Sequence, residues 1–171
     1  RGHKRHLWDG GHHVPFLMRW PVRIKSGSVS NEIVCLTDFM ATSAAIAGVT
    51  LPASAGEDSC SILPAFAGGN LAKPIREAVV HHSSSGAFAI RQGEWKLILL
   101  RGSGDGAPSK AESLPPGQLY NLAQDVAEEK NLYNDRPEIV RRLTALLERY
   151  KTEGRSAPLI AAAKPLRRSP R

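Results

Sequence analysis

The chain has 171 residues, of which 42% are hydrophobic and 23% are charged. These proportions are typical of a soluble globular protein, and the length is sufficient for one domain with a hydrophobic core. No run of residues approaches the roughly 20 apolar positions that cross a bilayer, so we predict no membrane span. Two cysteines permit at most one disulfide, which excludes a disulfide-stapled scaffold.

The net charge of +7 is concentrated at the two ends of the chain. A positive charge of this size would suit a nucleic acid or another acidic polymer. The stretch between the ends is slightly acidic, however, so we predict no nucleic-acid partner. The basic residues around Lys4 favour a small anionic ligand, and those of residues 157–171 are typical of a solvated, flexible tail.

One helix is predicted in the first half of the chain. The side-chain oxygens of Thr37 and Asp38 can accept hydrogen bonds from the free amides at its start, and Gly48 ends it after about Ala47. Because its residues are mostly small and apolar, we expect this helix to be buried against a sheet. Residues 51–61, rich in Pro, Ala, Gly and Ser, predict a surface loop.

Four strands are predicted in the second half. Short connections that contain Gly86 or Gly93 favour antiparallel pairing, because a parallel return needs a longer crossover. A polar loop, residues 102–117, precedes the fourth strand. The strand pattern occurs at residues 78–82, 88–91, 95–100 and 118–122.

A second helix is predicted over residues 136–152. Asp135 and Glu138 form an Asp-x-x-Glu start, Pro137 suits the first turn, and Gly154 ends the helix. A four-stranded antiparallel sheet that carries one amphipathic helix is a compact two-layer unit. The apolar residues recur at helical spacing as Ile139, Leu143, Leu146, Leu147 and Tyr150.

The most specific motif lies near the first residue. Lys4 is followed by Trp8-Asp9-Gly10-Gly11-His12-His13-Val14-Pro15-Phe16 and then by Arg19-Trp20-Pro21. Three unusual pieces in this order and at this spacing closely resemble the segment by which type I sulfatases present a sulfate-binding lysine. Those enzymes belong to the alkaline-phosphatase-like superfamily. The resemblance implies that the chain is the carboxy-terminal portion of such a sulfatase.

A second stretch resembles the same family. Leu119-Tyr120-Asn121-Leu122, with Asp125 and residues 128–132, is similar to its Leu-Tyr-Asp-Leu, Asp-Pro-x-Glu and Asn-Leu stretch, although Asn121 and Val126 replace the usual Asp and Pro. The resemblance covers about residues 1–158. It implies an α/β fold that ends in the four-stranded sheet and its helix. Three parts are expected: residues 1–70 as the end of the catalytic domain, 71–156 as an α+β subdomain, and 157–171 as the tail.

The implied activity is hydrolysis of a sulfate monoester, in a sulfated small molecule or a sulfated glycan. In the family the nucleophile is a formylglycine in a Cys/Ser-x-Pro-x-Arg signature, and a calcium ion organises the sulfate. Neither Cys35 nor Cys60 begins that signature, so both are expected to be ordinary, at least half-buried cysteines. We therefore expect the nucleophile, the calcium ligands and the rest of the catalytic domain to lie upstream, and export from the cytoplasm is implied.

Four residues are candidates for the site. The resemblance assigns Lys4 to the sulfate as the catalytic cation, and His12 follows the two glycines, where the family faces its pocket. His13 and His82 are further candidates for substrate binding. Four histidines within residues 3–13 could in principle converge on zinc, but they lack an acidic or thiol partner at a ligand-like spacing, so no metal site is predicted in this chain.

Two alternatives share part of this pattern. A phosphonate or phosphate monoesterase of the same superfamily would have the same layout, and the upstream nucleophile would distinguish it. A non-catalytic anion-binding module is the second alternative. Ser83-Ser84-Ser85 lacks the glycine elbow and partners of a serine hydrolase.

Overall fold

A computed structural model of the protein describes residues 1–68, 71–105 and 113–158. The chain divides into two compact units. The sheet unit comprises Arg1–Leu17 and Ala78–Thr152. The α1 unit, named after the helix α1 (Asp38–Ala47), comprises Met18–Glu77 and residues 153–158. The predicted tail lies outside the described residues from position 159, and so does part of the predicted polar loop, residues 106–112. The three predicted parts of the larger protein remain predictions.

The sheet unit contains the predicted four-stranded antiparallel sheet. Its strands lie side by side in chain order, and each pairs with the next. Gly86 and Gly93 occupy the tight connections with φ of 80° and 57°, a region that favours glycine. The prediction of short antiparallel connections is therefore confirmed. The strands are β1 (Val79–His82), β2 (Phe88–Gln92), β3 (Trp95–Ile98) and β4 (Gln118–Asn121).

One face of this sheet carries the second helix, α2 (Pro137–Glu153). Its apolar stripe joins sheet residues such as Ile90 and Leu97 in one hydrophobic core. Pro137 begins the helix, where a missing amide costs nothing, and Gly154 follows it with φ of 66°. The predicted amphipathic helix is confirmed, and its buried residues are Leu143, Leu146, Leu147 and Tyr150.

The opposite face of the sheet is covered by the first residues of the chain. Leu7 is fully buried there, and Trp8 packs beside it. Successive side chains of a strand point to opposite faces of the sheet, so this cluster lies on the face opposite α2. The sheet therefore has a cover on each side, whereas the sequence predicted a cover on one side only. The other buried residues of this second cluster are Ala89, Ile98 and Tyr120 on the strands and Leu122 directly after β4.

The α1 unit contains the predicted first helix, α1 (Asp38–Ala47). Gly48 ends it in the left-handed region, as predicted. The predicted cap was wrong, because Thr37 donates its hydroxyl to the Asp58 carbonyl and makes no cap hydrogen bond. The buried Asp38 carboxylate instead accepts the amides of Cys35 and Cys60 and pairs with the buried Arg76.

The prediction that α1 is buried against a sheet is also wrong for the residues that the structure describes. Phe39, Met40 and Ile46 are 46–49% exposed, and only Asp38, Ala41 and Thr42 are buried. The buried side of α1 contacts the segment before a short 3-10 helix, Leu63–Ala67. In this contact the Ile62 amide donates a hydrogen bond to the Thr42 hydroxyl. An apolar composition shows that a helix can be buried but does not say which face meets a partner.

Both cysteines are free thiols, one buried and one half-buried, as expected. Burial raises the pKa of the Cys60 thiol, although Arg76 opposes the rise. In the described part of the chain, neither helix has the length and apolar character needed to cross a membrane.

Candidate functional site

The first thirteen residues form a closed loop, which we call the N-terminal loop. The Gly10 amide donates to the Arg1 carbonyl at 2.8 Å, and the Gly11 amide donates to the Trp8 carbonyl at 2.8 Å. A short 3-10 helix, Asp9–Gly11, forms the base. At the tip, Arg5 adopts φ of 83°, a conformation that side chains other than glycine rarely adopt.

The two glycines of the motif are required by close approach. A Cβ atom on Gly10 would lie 2.4 Å from the Gly2 carbonyl oxygen, and one on Gly11 would lie 2.0 Å from the His6 carbonyl oxygen. Neither distance is compatible with a side chain, and both obstacles are backbone. The Asp-Gly-Gly sequence therefore specifies how tightly the loop closes.

Lys4 lies at the exposed tip of this loop. Within the described residues, its ammonium makes no hydrogen bond or ion pair. The neighbouring Arg5 guanidinium is 3.1 Å from the Asp105 carboxylate, so its charge is already partly neutralised. The ammonium of Lys4 is therefore exposed at the tip without a partner among the described residues.

Below the loop, a buried network of charged residues joins the loop to the sheet. Lys96, on β3, is fully buried, and so is Glu128. The Lys96 ammonium donates to Asp9 Oδ1 at 2.9 Å, to Glu128 Oε1 at 2.6 Å and to His12 Nε2 at 3.1 Å. An ammonium has three donors and no acceptor, so Lys96 has no donor left for a ligand.

His12 and His81 lie against each other beside this network, with their ring centroids 3.8 Å apart and their planes inclined by 42°. Because Lys96 can only donate, His12 Nε2 must accept, which places the proton of the neutral ring on Nδ1. His81 Nε2 lies 3.2 Å from the Leu7 carbonyl, which can only accept, so His81 carries its proton on Nε2.

Burial dominates the protonation of these groups. Burial, the nearby His81 and the Lys96 charge lower the pKa of His12 to about 3. Burial also lowers the pKa of His81 to about 4, although its contact with the Leu7 carbonyl opposes the change. Burial alone would raise the pKa of Asp9, but the hydrogen bond and charge of Lys96 hold that pKa below its usual value.

These shifts predict a loss of stability in mild acid. The pKa of each histidine is lower in the folded protein than its ordinary value of 6.5, so the unfolded chain takes up protons first as the pH falls. Stability is therefore fully present above about pH 6.5 and declines towards the folded values of about 4 and about 3. Urea unfolding between about pH 7 and about pH 4.5 should show this decline.

His81→Gln removes one of the two titrating groups and should flatten the decline. His13→Gln is the matched control, because the His13 side chain is 71% exposed. An identical pH dependence for wild type and His81→Gln would contradict the assignment.

The predicted site residues have different surroundings. Lys4 is exposed, and the His12 side chain, 32% exposed, is held by Lys96. His13 Nδ1 lies 3.2 Å from Asp9 Oδ2 at the surface. His82 lies opposite Phe88 in the pairing of β1 with β2, and Phe88 packs against the core on the α2 side. His82 therefore lies on the α2 face, away from the N-terminal loop. The structure brings His81, not His82, to His12.

Sequence reasoning did not identify the buried charges. Lys96 interrupts the apolar run of β3, and a lysine on a buried face requires a nearby anion. That interruption was the available signal. It did not indicate which carboxylates would be used, since Asp9 lies 87 positions away and Glu128 lies 32 positions away.

One group of side chains in the described residues could hold a metal ion. The ligand atoms of His3, His6 and Asp105 lie within 4.8 Å of one another. Calcium takes oxygen ligands, whereas two of these three are imidazoles and the carboxylate already pairs with Arg5. The group therefore does not fit calcium.

Comparison with known proteins identifies the family. Residues 2–153 match the family described as N-sulphoglucosamine sulphohydrolase, C-terminal. The chain therefore belongs to this sulfatase family. It is 31% identical over 163 residues to an N-acetylgalactosamine-6-O-sulfatase of Bacteroides thetaiotaomicron, covering 89% of this chain and 30% of that protein. It is also 38% identical over 96 residues to an arylsulfatase of Hemicentrotus pulcherrimus, covering 56% and 17%.

Solved structures have the same fold. A protein of the glycosaminoglycan metabolism of Bacteroides thetaiotaomicron superposes with a TM-score of 0.75 at 30% identity, over 89% of this chain and 32% of its own. A second solved structure, which holds its substrate D-glucosamine-2-N,6-O-disulfate, superposes with a TM-score of 0.60 at 25% identity. The match covers 79% of this chain and 27% of that one. The chain thus spans about a third or less of the length of each of these proteins.

Proposed function

We propose that the chain forms part of a sulfuric ester hydrolase and supplies its sulfate-binding cation, Lys4. The observation that carries this proposal is the free, exposed ammonium of Lys4 on a closed Asp-Gly-Gly loop in a chain of the sulfatase family. Cleavage of a sulfate ester increases negative charge on the sulfuryl and leaving oxygens. A fixed cation at that position stabilises the transition state.

We propose a sulfated amino sugar as the substrate class. One relative is named for a 6-O-sulfated N-acetylgalactosamine, and one related structure holds a glucosamine that is sulfated on nitrogen and on O6. Both are hexosamines with a sulfate on O6. An anionic sugar also suits the basic residues at the tip, Lys4 and Arg5, of which Arg5 is partly neutralised by Asp105.

The remaining components of the site are proposed to lie elsewhere in the enzyme. Calcium would supply positive charge to the sulfate, and formylglycine would supply the nucleophile. The residues described here would bind and orient the ester through Lys4, with His12 and His13 as proposed substrate contacts. His82 is not among them, because it lies on the α2 face of the sheet, away from the N-terminal loop. Export from the cytoplasm, implied by the family, is part of the same proposal.

The enzyme that contains this chain should release sulfate from a 6-O-sulfated hexosamine faster than from a simple aryl sulfate. Sulfate release, measured by ion chromatography, tests this directly. The matching hexosamine 6-phosphate is the control for the phosphatase alternative. Phosphate release without sulfate release would contradict the proposed reaction.

Residues 1–171 alone should show no turnover of either sulfate ester with calcium present, because the Cys/Ser-x-Pro-x-Arg signature is absent from the sequence. Turnover that survives replacement of both Cys35 and Cys60 would show that the active site lies in this chain after all.

A further inference from the structure

The buried network joins three segments that are far apart in the sequence. Asp9 belongs to the N-terminal loop, Lys96 to β3, and Glu128 to the segment between β4 and α2. Glu128 adopts φ of 55°, and with Arg5 it is one of two non-glycine residues of positive φ among those described. Strained backbone of this kind persists where the surroundings enforce it.

The network holds the backbone of the loop as well as its charges. Glu128 Oε2 accepts the Asp9 amide at 2.7 Å while Glu128 Oε1 accepts from Lys96. Asp9 is therefore fixed at its main chain and at its side chain by the same pair of residues. The loop is also held by the Leu7 amide, which donates to the Ser103 carbonyl at 2.7 Å, and by the Trp8 indole, which donates to Gln118 at 2.9 Å.

The free cation of the loop lies five positions before this anchor. Lys4 makes no hydrogen bond or ion pair with any residue that the structure describes, so its position depends on the contacts that close the loop behind it. The loop is closed by the hydrogen bonds from the Gly10 amide to the Arg1 carbonyl and from the Gly11 amide to the Trp8 carbonyl. Gly10 and Gly11 directly follow Asp9 in the sequence. A change at Asp9 would therefore be transmitted to the tip through a short, tightly closed segment.

We propose that Lys96 is a positioning residue for Lys4, a role that rests on the proposed function. Lys96 uses all three donors within the protein, so it acts on the reaction only through Asp9, Glu128 and His12. Its charge keeps two carboxylates together under the loop, and their position sets that of the Lys4 ammonium. Displacement of a charged group by about 1 Å can lower a rate by about 10²-fold.

A purely structural role is the competing explanation, and Leu143→Ala provides the matched control. Leu143 is fully buried but lies in the core on the α2 face of the sheet, away from the N-terminal loop. The substitution Leu143→Ala should destabilise the sheet unit without changing any residue of the buried charge network. Lys96→Met keeps the length of the side chain and removes the charge, whereas Lys96→Arg keeps the charge in a different shape.

Amide hydrogen exchange on the 171-residue chain measures loop order without reference to activity. In Lys96→Met the amides of Asp9, Gly10 and Gly11 should exchange at least about tenfold faster than in wild type. In Leu143→Ala those amides should keep rates close to those of wild type, while amides of α2 exchange faster. If Lys96→Met proves unfolded, Asp9→Asn and Lys96→Arg replace it, each with a smaller acceleration expected at the same three amides.

Kinetics on the enzyme that contains this chain provide the second measurement, at a temperature where every variant is folded. Lys96→Met should lower kcat about 10²-fold with a smaller change in KM, Lys96→Arg should restore part of kcat, and Leu143→Ala should leave kcat nearly unchanged. Equal exchange at Asp9, Gly10 and Gly11 in wild type and Lys96→Met, or equal loss of kcat in Lys96→Met and Leu143→Ala, would overturn the proposal. A wild-type enzyme without sulfatase activity would instead refute the proposed function and leave the exchange result intact.

Discussion

Lys4→Ala should lower the kcat of the sulfatase that contains this chain by about 10²–10³-fold, the loss typical of a missing oxyanion donor. The sulfuryl oxygen gains negative charge as an ester bond breaks, so in the proposed role the ammonium would stabilise the transition state more than the bound substrate. Lys4→Arg should restore only part of kcat, because a planar guanidinium does not reproduce a compact point charge. Steady-state kinetics on a sulfated hexosamine would measure both effects.

Lys130→Ala is the matched control for Lys4→Ala, since Lys130 is also an exposed lysine of the sheet unit. It should leave kcat and KM at their wild-type values. His12→Ala offers a second contrast. Loss of the proposed substrate contact should raise KM, and loss of the acceptor for Lys96 should lower kcat by less than Lys4→Ala does. Near-normal turnover in Lys4→Ala would remove the central residue of the proposed function.

Lys96→Met should reduce the free energy of unfolding by about 3–5 kcal/mol, the cost of removing one partner from a buried ion pair. The substitution leaves the fully buried Glu128 without its closest cation, and Asp9 loses its closest positive charge. Denaturant unfolding at neutral pH, where Asp9 is ionised, would measure the loss.

Lys130→Met serves as the control here too and should change the free energy of unfolding by no more than about 0.5 kcal/mol. Adding Glu128→Gln to Lys96→Met should recover part of the loss. A neutral amide can still accept the Asp9 amide hydrogen and needs no counter-ion. If the double variant were less stable than Lys96→Met by the full effect of Glu128→Gln alone, the two residues would be energetically independent.

The sheet and its helix were predictable because their signals are local. Strand-like runs around Ile90 and Leu97, glycines in the connections and the apolar spacing of α2 each lie within a few residues. The errors arose where a partner was needed. Asp38 was assigned to the amides of its own helix, but it serves Cys60 and Arg76, which are far away in sequence.

The candidate site was predictable only in part, for the same reason. The Asp-Gly-Gly turn and the exposed Lys4 follow from a motif of adjacent residues. The choice between His81 and His82 depends on which face of β1 meets the N-terminal loop, and strand alternation states only that the faces differ. The role of Lys96 depends on two distant carboxylates, and it required the fold.

The contacts around Gly10 and Gly11 also limit how this loop can diversify. In a library that randomises residues 3–13, only glycine should survive selection at positions 10 and 11, because any larger residue would strike a carbonyl of the loop itself. Exposed positions such as His3 and His13 carry no such restriction. Adaptation to a new sulfated sugar would therefore proceed by replacing exposed side chains while the backbone of the N-terminal loop stays unchanged.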